Sequence, residues 1–469
     1  MPRTFGVLLA AATATVVACA ALPERVALAP DKTAAAAESA ITVRGPKGPL
    51  PPAAEKRAIE AVKAEGRADL AAHHLRVLAA SGEVDLYRGT STRLLVDGPA
   101  TFAAMKASIG RARERILFES YIFEDSKIAA EMATLLTGKA AQGVAVALLY
   151  DAVGSIGATP EMFERLAAGG VAVCKFNPLN PLERPGYWGI NHRNHRKVLV
   201  VDQEVAYTGG INISSTYSSG SFSGNRKKAP PDGDPKKLLE DGWRDTHIEL
   251  RGPVVPAFAV GFEQLWRQEG CKGSVGRVTS PAPAVVGERV VKLIQSDPQE
   301  KGNRLYTALL AAIDAAQKSV HLTMAYFAPG QDMIDALANA ARRGVDVTLV
   351  LPGASDFTLI LHAGRSYYTQ MLEAGVRLHE MEDAMMHAKT AVIDGVFSTV
   401  GSSNMDWRSF VTNNEVNVIV LGADFGEQLE ALFRRDLERS TAIEAQAWSR
   451  RGLKQRALEV VGRMAERLL

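Results

Sequence analysis

His195-Arg-Lys197-Val-Leu-Val-Val-Asp202, followed by Gly209-Gly-Ile-Asn212, returns later in the chain as His387-Ala-Lys389-Thr-Ala-Val-Ile-Asp394, followed by Gly401-Ser-Ser-Asn404. In both stretches His, Lys and Asp stand at relative positions 1, 3 and 8, and the Asn follows ten residues after the Asp. Chance does not repeat four polar types at matched spacing, so the chain contains two copies of one design. The surroundings agree. Ile116-Leu-Phe-Glu-Ser-Tyr-Ile-Phe123 and Val320-His-Leu-Thr-Met-Ala-Tyr-Phe327 are offset by 204 residues, and each is a strand-like run after a helix. Helical stretches follow, then Gly143-Val-Ala-Val-Ala-Leu-Leu-Tyr150 and Gly344-Val-Asp-Val-Thr-Leu-Val-Leu351, which read as buried strands. Strand and helix alternate in both halves, which predicts an α/β fold with helices on both faces of a central sheet, in domains spanning 85–275 and 285–440.

A strand's period of two places His195 and Lys197 on one face, about 7 Å apart, and likewise His387 and Lys389. Each pair can address one phosphate. Lys supplies fixed positive charge, and Asn212 and Asn404 can donate to equatorial oxygens, so two copies brought together surround a phosphodiester with donors. One neutral imidazole can then attack phosphorus while the other, protonated, expels the alkoxide, provided their environments separate two similar pKa values.

Asp202 and Asp394 complete the signature but fall an odd number of residues from their His, on the opposite face, and are read as structural. Asp245, in Trp243-Arg-Asp245-Thr-His-Ile-Glu-Leu250, and Glu415, in Asn413-Asn-Glu415-Val-Asn-Val-Ile-Val420, precede strand-like runs and lie 170 residues apart, as do Gly252 and Gly422. They hold one repeat position, from which a carboxylate can fix the Nδ1 proton of a catalytic His. His192 and His247 have the choice of facing the same cavity or not. His73, His74, His321, His362 and His379 carry no pattern.

The doubled signature resembles the phospholipase D superfamily, in which two such copies form a pseudo-dimer sharing one active site; the resemblance covers residues 85 to 440. Gly401-Ser-Ser-Asn-Met-Asp-Trp-Arg-Ser409, Asn413-Asn-Glu415, Trp243-Arg-Asp245 and Ala363-Gly-Arg-Ser-Tyr-Tyr368 resemble its cardiolipin synthase branch. The resemblance implies transfer of a phosphatidyl group between phospholipids, with His195 as nucleophile, His387 as leaving-group acid, and Glu415 and Asp245 as their orienting carboxylates. It also implies anionic phospholipid partners such as phosphatidylglycerol. No cofactor and no metal are expected, because the Lys and Asn groups already supply the charge stabilisation a metal would provide and no ligand cluster is visible in the sequence. Water as acceptor makes the same machinery a phospholipase D. A nucleic-acid substrate makes it a nuclease, and a silent lipid-binding scaffold is the remaining alternative. The chain departs from the usual synthase in lacking paired N-terminal transmembrane helices.

The chain has 469 residues, 47% hydrophobic and 23% charged, values that exclude a disordered, collagenous or polytopic membrane protein. Lys and Arg number 54 against 52 Asp and Glu, too balanced for a dedicated nucleic-acid binder. No obligate protein partner is implied. Arg3 and the apolar run from Phe5 to Leu22 form a secretory signal, 1–21. Ala18-Cys19-Ala20 fits simple cleavage. Val16-Val17-Ala18-Cys19 resembles a bacterial lipobox, which is preferred and makes Cys19 an acylated residue on a periplasmic, membrane-associated protein. Residues 22–84 read as a tether, unpatterned to about Pro52, and then a helical segment.

Cys19, Cys174 and Cys271 show no pairing pattern, and Cys174 reads as a small buried side chain. Thr216 to Gly242 is a polar loop with Arg226-Lys-Lys228 and Lys236-Lys237, either solvated or overhanging the cleft. In the terminal segment, 441–469, basic and apolar residues alternate at helical spacing from Trp448 to Leu469, which fits packing on the core and an interfacial helix on anionic lipid equally.

Overall fold

A computed structural model describes residues 40–64, 66–180, 189, 191–221, 242–298 and 303–468. The first half contributes β1 (Asp85–Val96), β2 (Arg115–Ser120), β3 (Ala145–Asp151), β4 (Ala172–Phe176), β5 (Val198–Val201), β6 (Val205–Gly209) and β7 (Thr246–Arg251). Its counterparts in the second half are β8 (Arg289–Ser296), β9 (Ser319–Met324), β10 (Asp346–Pro352), β11 (Arg377–Met381), β12 (Lys389–Ile393), β13 (Phe397–Gly401) and β14 (Asn413–Leu421). Hydrogen-bonded neighbours run β4-β3-β2-β5-β6-β7-β1 in the first half and β11-β10-β9-β12-β13-β14-β8 in the second. Antiparallel pairing of β1 with β8, Val291 opposite Tyr87, joins the halves into one sheet about a pseudo-twofold axis.

Period-two alternation divides the core into layers. Leu117, Val198 and Val200 face one side with Val392, Val400 and Val418 of the other half, where the helices Val255–Gln268 and Ala423–Glu438 cover both halves with a shared core. Ile116, Phe118 and Leu199 face the other side in the first half, and Val320, Leu322 and Ile393 do so in the second.

Three expectations need correction. Residues 40–52 are not tether: Ile41 and Val43 are buried, and Thr42–Gly45 adds a parallel strand beside β1. Cys174 is not a free thiol but is disulfide-bonded to Cys271, 97 residues away. The chain leaving the helix Val255–Gln268 returns across the edge strand β4, where Gly273 lies against Ala172, and long-range juxtaposition of this kind has no spacing signature. The C-terminal helix Leu453–Ala465 does lie on the body, but its polar edge faces inward. Glu459 and Gly462 are buried, while Leu453, Leu458, Val461 and Met464 are exposed. Among the described residues no helix is long and apolar enough to cross a membrane. The signal region with Cys19, and Arg226-Lys-Lys228 and Lys236-Lys237, lie outside the described residues.

Candidate active site

Each signature begins just before its strand. β5 starts at Val198 and β12 at Lys389, so the two histidines sit in extended lead-ins, not on one face of a regular strand as the spacing alone suggests. Contacts across the twofold fix these lead-ins. Backbone N–H of His195 donates to the Asn414 carbonyl (3.0 Å) and that of His387 to the Arg244 carbonyl (2.8 Å). In both cases the acceptor immediately precedes the carboxylate residue of the opposite half, so the two chains cross-clamp each other at equivalent points. Fully buried Arg244 reinforces this through a bidentate pair with Asp436, both contacts 2.7 Å. In the first half Asp151, at the end of β3, accepts from Asn194 N (2.9 Å) and steers the chain into His195.

The imidazoles are held from behind. Nδ1 of His195 lies 2.9 Å from Oε1 of Glu415, and Nδ1 of His387 lies 2.7 Å from Oδ2 of Asp245. An Nδ1–H donated to each carboxylate leaves Nε2 for chemistry. Both histidines line one cleft of about 410 Å³ together with Asn212, Asn404, Tyr121 and Trp243. A larger groove of about 560 Å³, between the helices Lys127–Ala141 and Pro160–Ala168, has no imidazole, lysine or amide in its wall.

Lys197 and Lys389 are buried behind the imidazoles. Each ammonium donates to the carbonyl of its own histidine, Lys197 to His195 at 2.8 Å and Lys389 to His387, so the two act on the cleft as buried charges. Asn212 presents its amide to the cleft while Oδ1 accepts from Ile122 N (3.1 Å). Asn404 Oδ1 has no protein partner. Asp202 and Asp394 do not reach the cleft; they are structural members of the signature, not catalytic groups. Both occupy left-handed turn positions (φ 54° for each), one between β5 and β6, the other between β12 and β13. The Asp202 carboxylate accepts from the backbone N–H groups of Arg113, Glu114 and Arg115, and that of Asp394 from Gln317, Lys318 and Ser319. The third signature residue therefore ties the hairpin turn to the start of the neighbouring strand. His74 adds Nε2 to Asp394 at 2.8 Å.

Burial depresses His195 to about 4 against the opposing pull of Glu415, and pushes His387 well below its ordinary value, with Lys389 acting in the same direction. Burial and the neighbouring ammonium bring Lys197 down to about 7, and burial brings Lys389 to about 8. Burial would raise Glu415, but His195 and Lys197 outweigh it and hold its carboxyl below the usual range. Burial raises Asp245 to about 6.

Sequence reasoning missed several contributors. Tyr217 comes from the polar loop, yet it is buried, with its hydroxyl 3.0 Å from Nδ1 of His387 and 3.3 Å from Nδ2 of Asn212. Ser402 donates to Oε2 of Glu415 (2.5 Å); it stands inside the second motif, where the repeated Asn drew attention instead. Tyr121 packs edge-on against His195, ring centroids 4.9 Å apart. His247 is buried and accepts from Ile211 N (3.3 Å), and His192 contacts Oδ1 of Asn414 (3.1 Å); neither lines the cleft. Among the described residues no group of three or more His, Cys, Asp and Glu is arranged to hold a metal ion.

Residues 105–223 and 309–437 match the family model described as cardiolipin synthase, PLD-like domain, one segment in each half. The chain is 33% identical over 391 residues to cardiolipin synthase 2 of Bacillus anthracis, covering 83% of this chain and 72% of the relative. It is 33% identical over 398 residues to a cardiolipin synthase of Geobacillus kaustophilus, covering 84% and 76%. Phosphatidylserine synthase of Haemophilus influenzae shares the fold, with a TM-score of 0.56 at 12% identity over 80% of this chain and 92% of that one.

Proposed function

We propose that this chain, which belongs to the cardiolipin synthase family of phospholipase D-like proteins, transfers a phosphatidyl group from one phospholipid to the hydroxyl of another through a phosphohistidine. The observation that carries the mechanism is the pair of cross-half contacts, Glu415 on His195 and Asp245 on His387, which leave two Nε2 atoms on one cleft. Neutral His195 attacks phosphorus through Nε2. The P–O bond to the leaving alcohol breaks as Nε2–H of His387 delivers its proton to that oxygen. In the second step His387 takes the proton of the incoming lipid hydroxyl, whose oxygen forms the new P–O bond as the P–N bond breaks. Lys197 and Lys389 stabilise the anionic transition state from behind, and the Asn212 and Asn404 amides donate to its oxygens. The phosphodiester's negative charge raises the His387 pKa on binding, so the group that is neutral in the free cleft is charged when a proton is needed.

The relatives that are cardiolipin synthases support cardiolipin as the product; this reading takes phosphatidylglycerol as the donor, with glycerol released. Export to the periplasm, with Cys19 acylated, accompanies it. The Cys174–Cys271 disulfide supports an oxidising compartment. Purified protein incubated with labelled phosphatidylglycerol tests the reaction: cardiolipin is expected, phosphatidic acid alone makes water the acceptor, and no lipid product refutes the proposal. Mass spectrometry of the mature N-terminus tests the anchor, since a start at Ala21 excludes acylated Cys19.

A further inference from the structure

The C-terminal helix Leu453–Ala465 is inverted relative to a helix that packs on a core. Its inward positions are Gln455, Glu459, Gly462 and, one turn on, Glu466, spaced as one helical face. Glu459 pairs with Arg451 (2.8 Å), and Glu466 accepts from Tyr367 Oη (2.6 Å) and Gly330 N (3.0 Å). At Gly462 the helix lies directly on the backbone of the helix Thr358–Arg365, where an added Cβ would come 2.4 Å from Ala363 N. The opposite face is apolar and open: Leu453 is 84%, Val460 59% and Met464 80% exposed. A globular surface helix does the reverse, and a contiguous apolar stripe left in water marks a contact site.

Two further features identify what covers it. Exposed Arg456 and Arg467 flank one side of the stripe and exposed Lys454 the other, the arrangement of a helix lying in the headgroup region of an anionic bilayer. The helix also borders the cleft. It rests on Thr358–Arg365, whose Ile360 lines the cleft; Phe357, just before that helix, lines it too and is 43% exposed. The Arg467 guanidinium lies 5.5 Å from the ring of Trp407, next to cleft residue Arg408. We propose that the outward face of Leu453–Ala465 inserts into the headgroup and acyl boundary of an anionic bilayer, holding the mouth of the cleft against the surface that supplies its lipid. The choice of a lipid surface as partner rests on the phosphatidyl-transfer reading.

The test uses the full chain, with an environment-sensitive fluorophore on Met464→Cys or Val460→Cys and, as control, on Glu161→Cys, exposed on the first half. On phosphatidylcholine vesicles containing phosphatidylglycerol, emission at 460 and 464 is expected to shift to the blue and to be quenched at least about twofold by a lipid-borne nitroxide, with no change at 161. Lys454→Glu with Arg456→Glu should weaken this response roughly fivefold per charge. Val460→Asp with Met464→Asp should lower kcat/KM on vesicles about tenfold while leaving turnover of a monomeric short-chain phospholipid unchanged. Unshifted emission at both sites on vesicles overturns the proposal. So does a blue shift that appears without lipid as protein concentration rises, which assigns the face to a second copy. A lipid-dependent shift in a protein that turns over no phospholipid, vesicular or monomeric, leaves the docking surface standing and removes the transfer reading alone.

Discussion

Glu415→Gln replaces one oxygen with an NH2 group and removes one negative charge, and the structure fixes which way the new amide must lie. Ser402 Oγ accepts from Val416 N (3.0 Å), so its own hydrogen is committed to Oε2 of residue 415. The glutamine carbonyl must stay on Ser402, and the NH2 then faces Nδ1 of His195, 2.9 Å away in the wild type. A donor facing Nδ1 forces the imidazole proton onto Nε2, the atom that must attack phosphorus. Two losses combine. The charge-assisted hydrogen bond is worth about 1.5–3 kcal/mol, and its loss falls mainly on the transition state, where His195 gains positive charge on bonding phosphorus. Wrong-tautomer trapping in the analogous carboxylate–histidine unit of serine proteases costs about 10⁴ in rate, so formation of the phosphohistidine should slow roughly 10³- to 10⁴-fold.

Single-turnover mixing with a nitrophenyl phosphodiester, quenched in alkali and mapped for phosphohistidine, measures that step directly. The loss should not depend on leaving-group pKa, because Glu415 serves the nucleophile. Adding Ser402→Ala frees the amide to flip, so the double variant should recover part of the rate. A loss under about tenfold, or one that shrinks as the leaving group improves, would refute the assignment of Glu415 to an attacking His195.

His387→Ala should slow phosphohistidine formation far less with nitrophenol than with a lipid alcohol, because nitrophenolate departs without a proton, whereas His195→Ala gains nothing from the better leaving group; phosphate mapped to His387 would reverse the roles. Because Lys197 and Lys389 are held down to about 7 and 8 and must be charged, kcat/KM should fall as pH rises through that range. Bound phosphate should move the alkaline limb of kcat higher, so coincident limbs in a pH–rate profile would count against buried lysine charge as the stabiliser. Activity should survive excess EDTA, since the ammonium and amide groups supply the charge stabilisation; loss restored by a single divalent ion would contradict this. Cys174→Ser with Cys271→Ser opens a link between residues 97 apart and should cost up to about 4–5 kcal/mol in urea unfolding, while a change under about 1 kcal/mol would mean the unfolded chain is little constrained by the link.

The parts of this architecture that were legible in sequence are those repeated in it. The two copies, the strands β2, β3, β5 and β7 with their counterparts β9, β10, β12 and β14, and both sets of His, Lys and Asn could be aligned against each other without a second sequence. What was not legible had no copy to be compared with. Tyr217 reaches His387 from a stretch whose composition reads as solvated loop, and Cys174 meets Cys271 only because β4 is an edge strand. The C-terminal helix shows a different limit. Periodicity establishes that a helix has two faces, but a basic, apolar pattern is identical whether the apolar face meets protein or lipid. Only the burial of Glu459 and Gly462 shows that the polar edge turns inward and leaves the apolar face outward.

Symmetry of sequence also concealed why the two histidines differ. Ser402 in the second copy aligns with Gly210 in the first, where a Cβ would come 2.2 Å from Oδ1 of Asp245. Glu415 therefore has a hydroxyl donor, and Asp245 packs against bare backbone. His195, Lys197 and the Ser402 hydroxyl keep Glu415 ionised, whereas burial lifts Asp245 to about 6, within reach of neutral pH. Tyr217 Oη at 3.0 Å and Lys389 Nζ at 2.9 Å crowd the same Nδ1 of His387 that Asp245 approaches, while Nδ1 of His195 meets Glu415 through both carboxylate oxygens. A covalent phosphohistidine is cationic at the ring and needs a partner that stays charged, which Glu415 provides. A residue that gives up a proton in one step and regains it in the next works better beside a carboxylate close to its own titration range, which is what Asp245 supplies. One serine, one glycine and one loop tyrosine laid over a duplicated frame thus support the proposed division of labour.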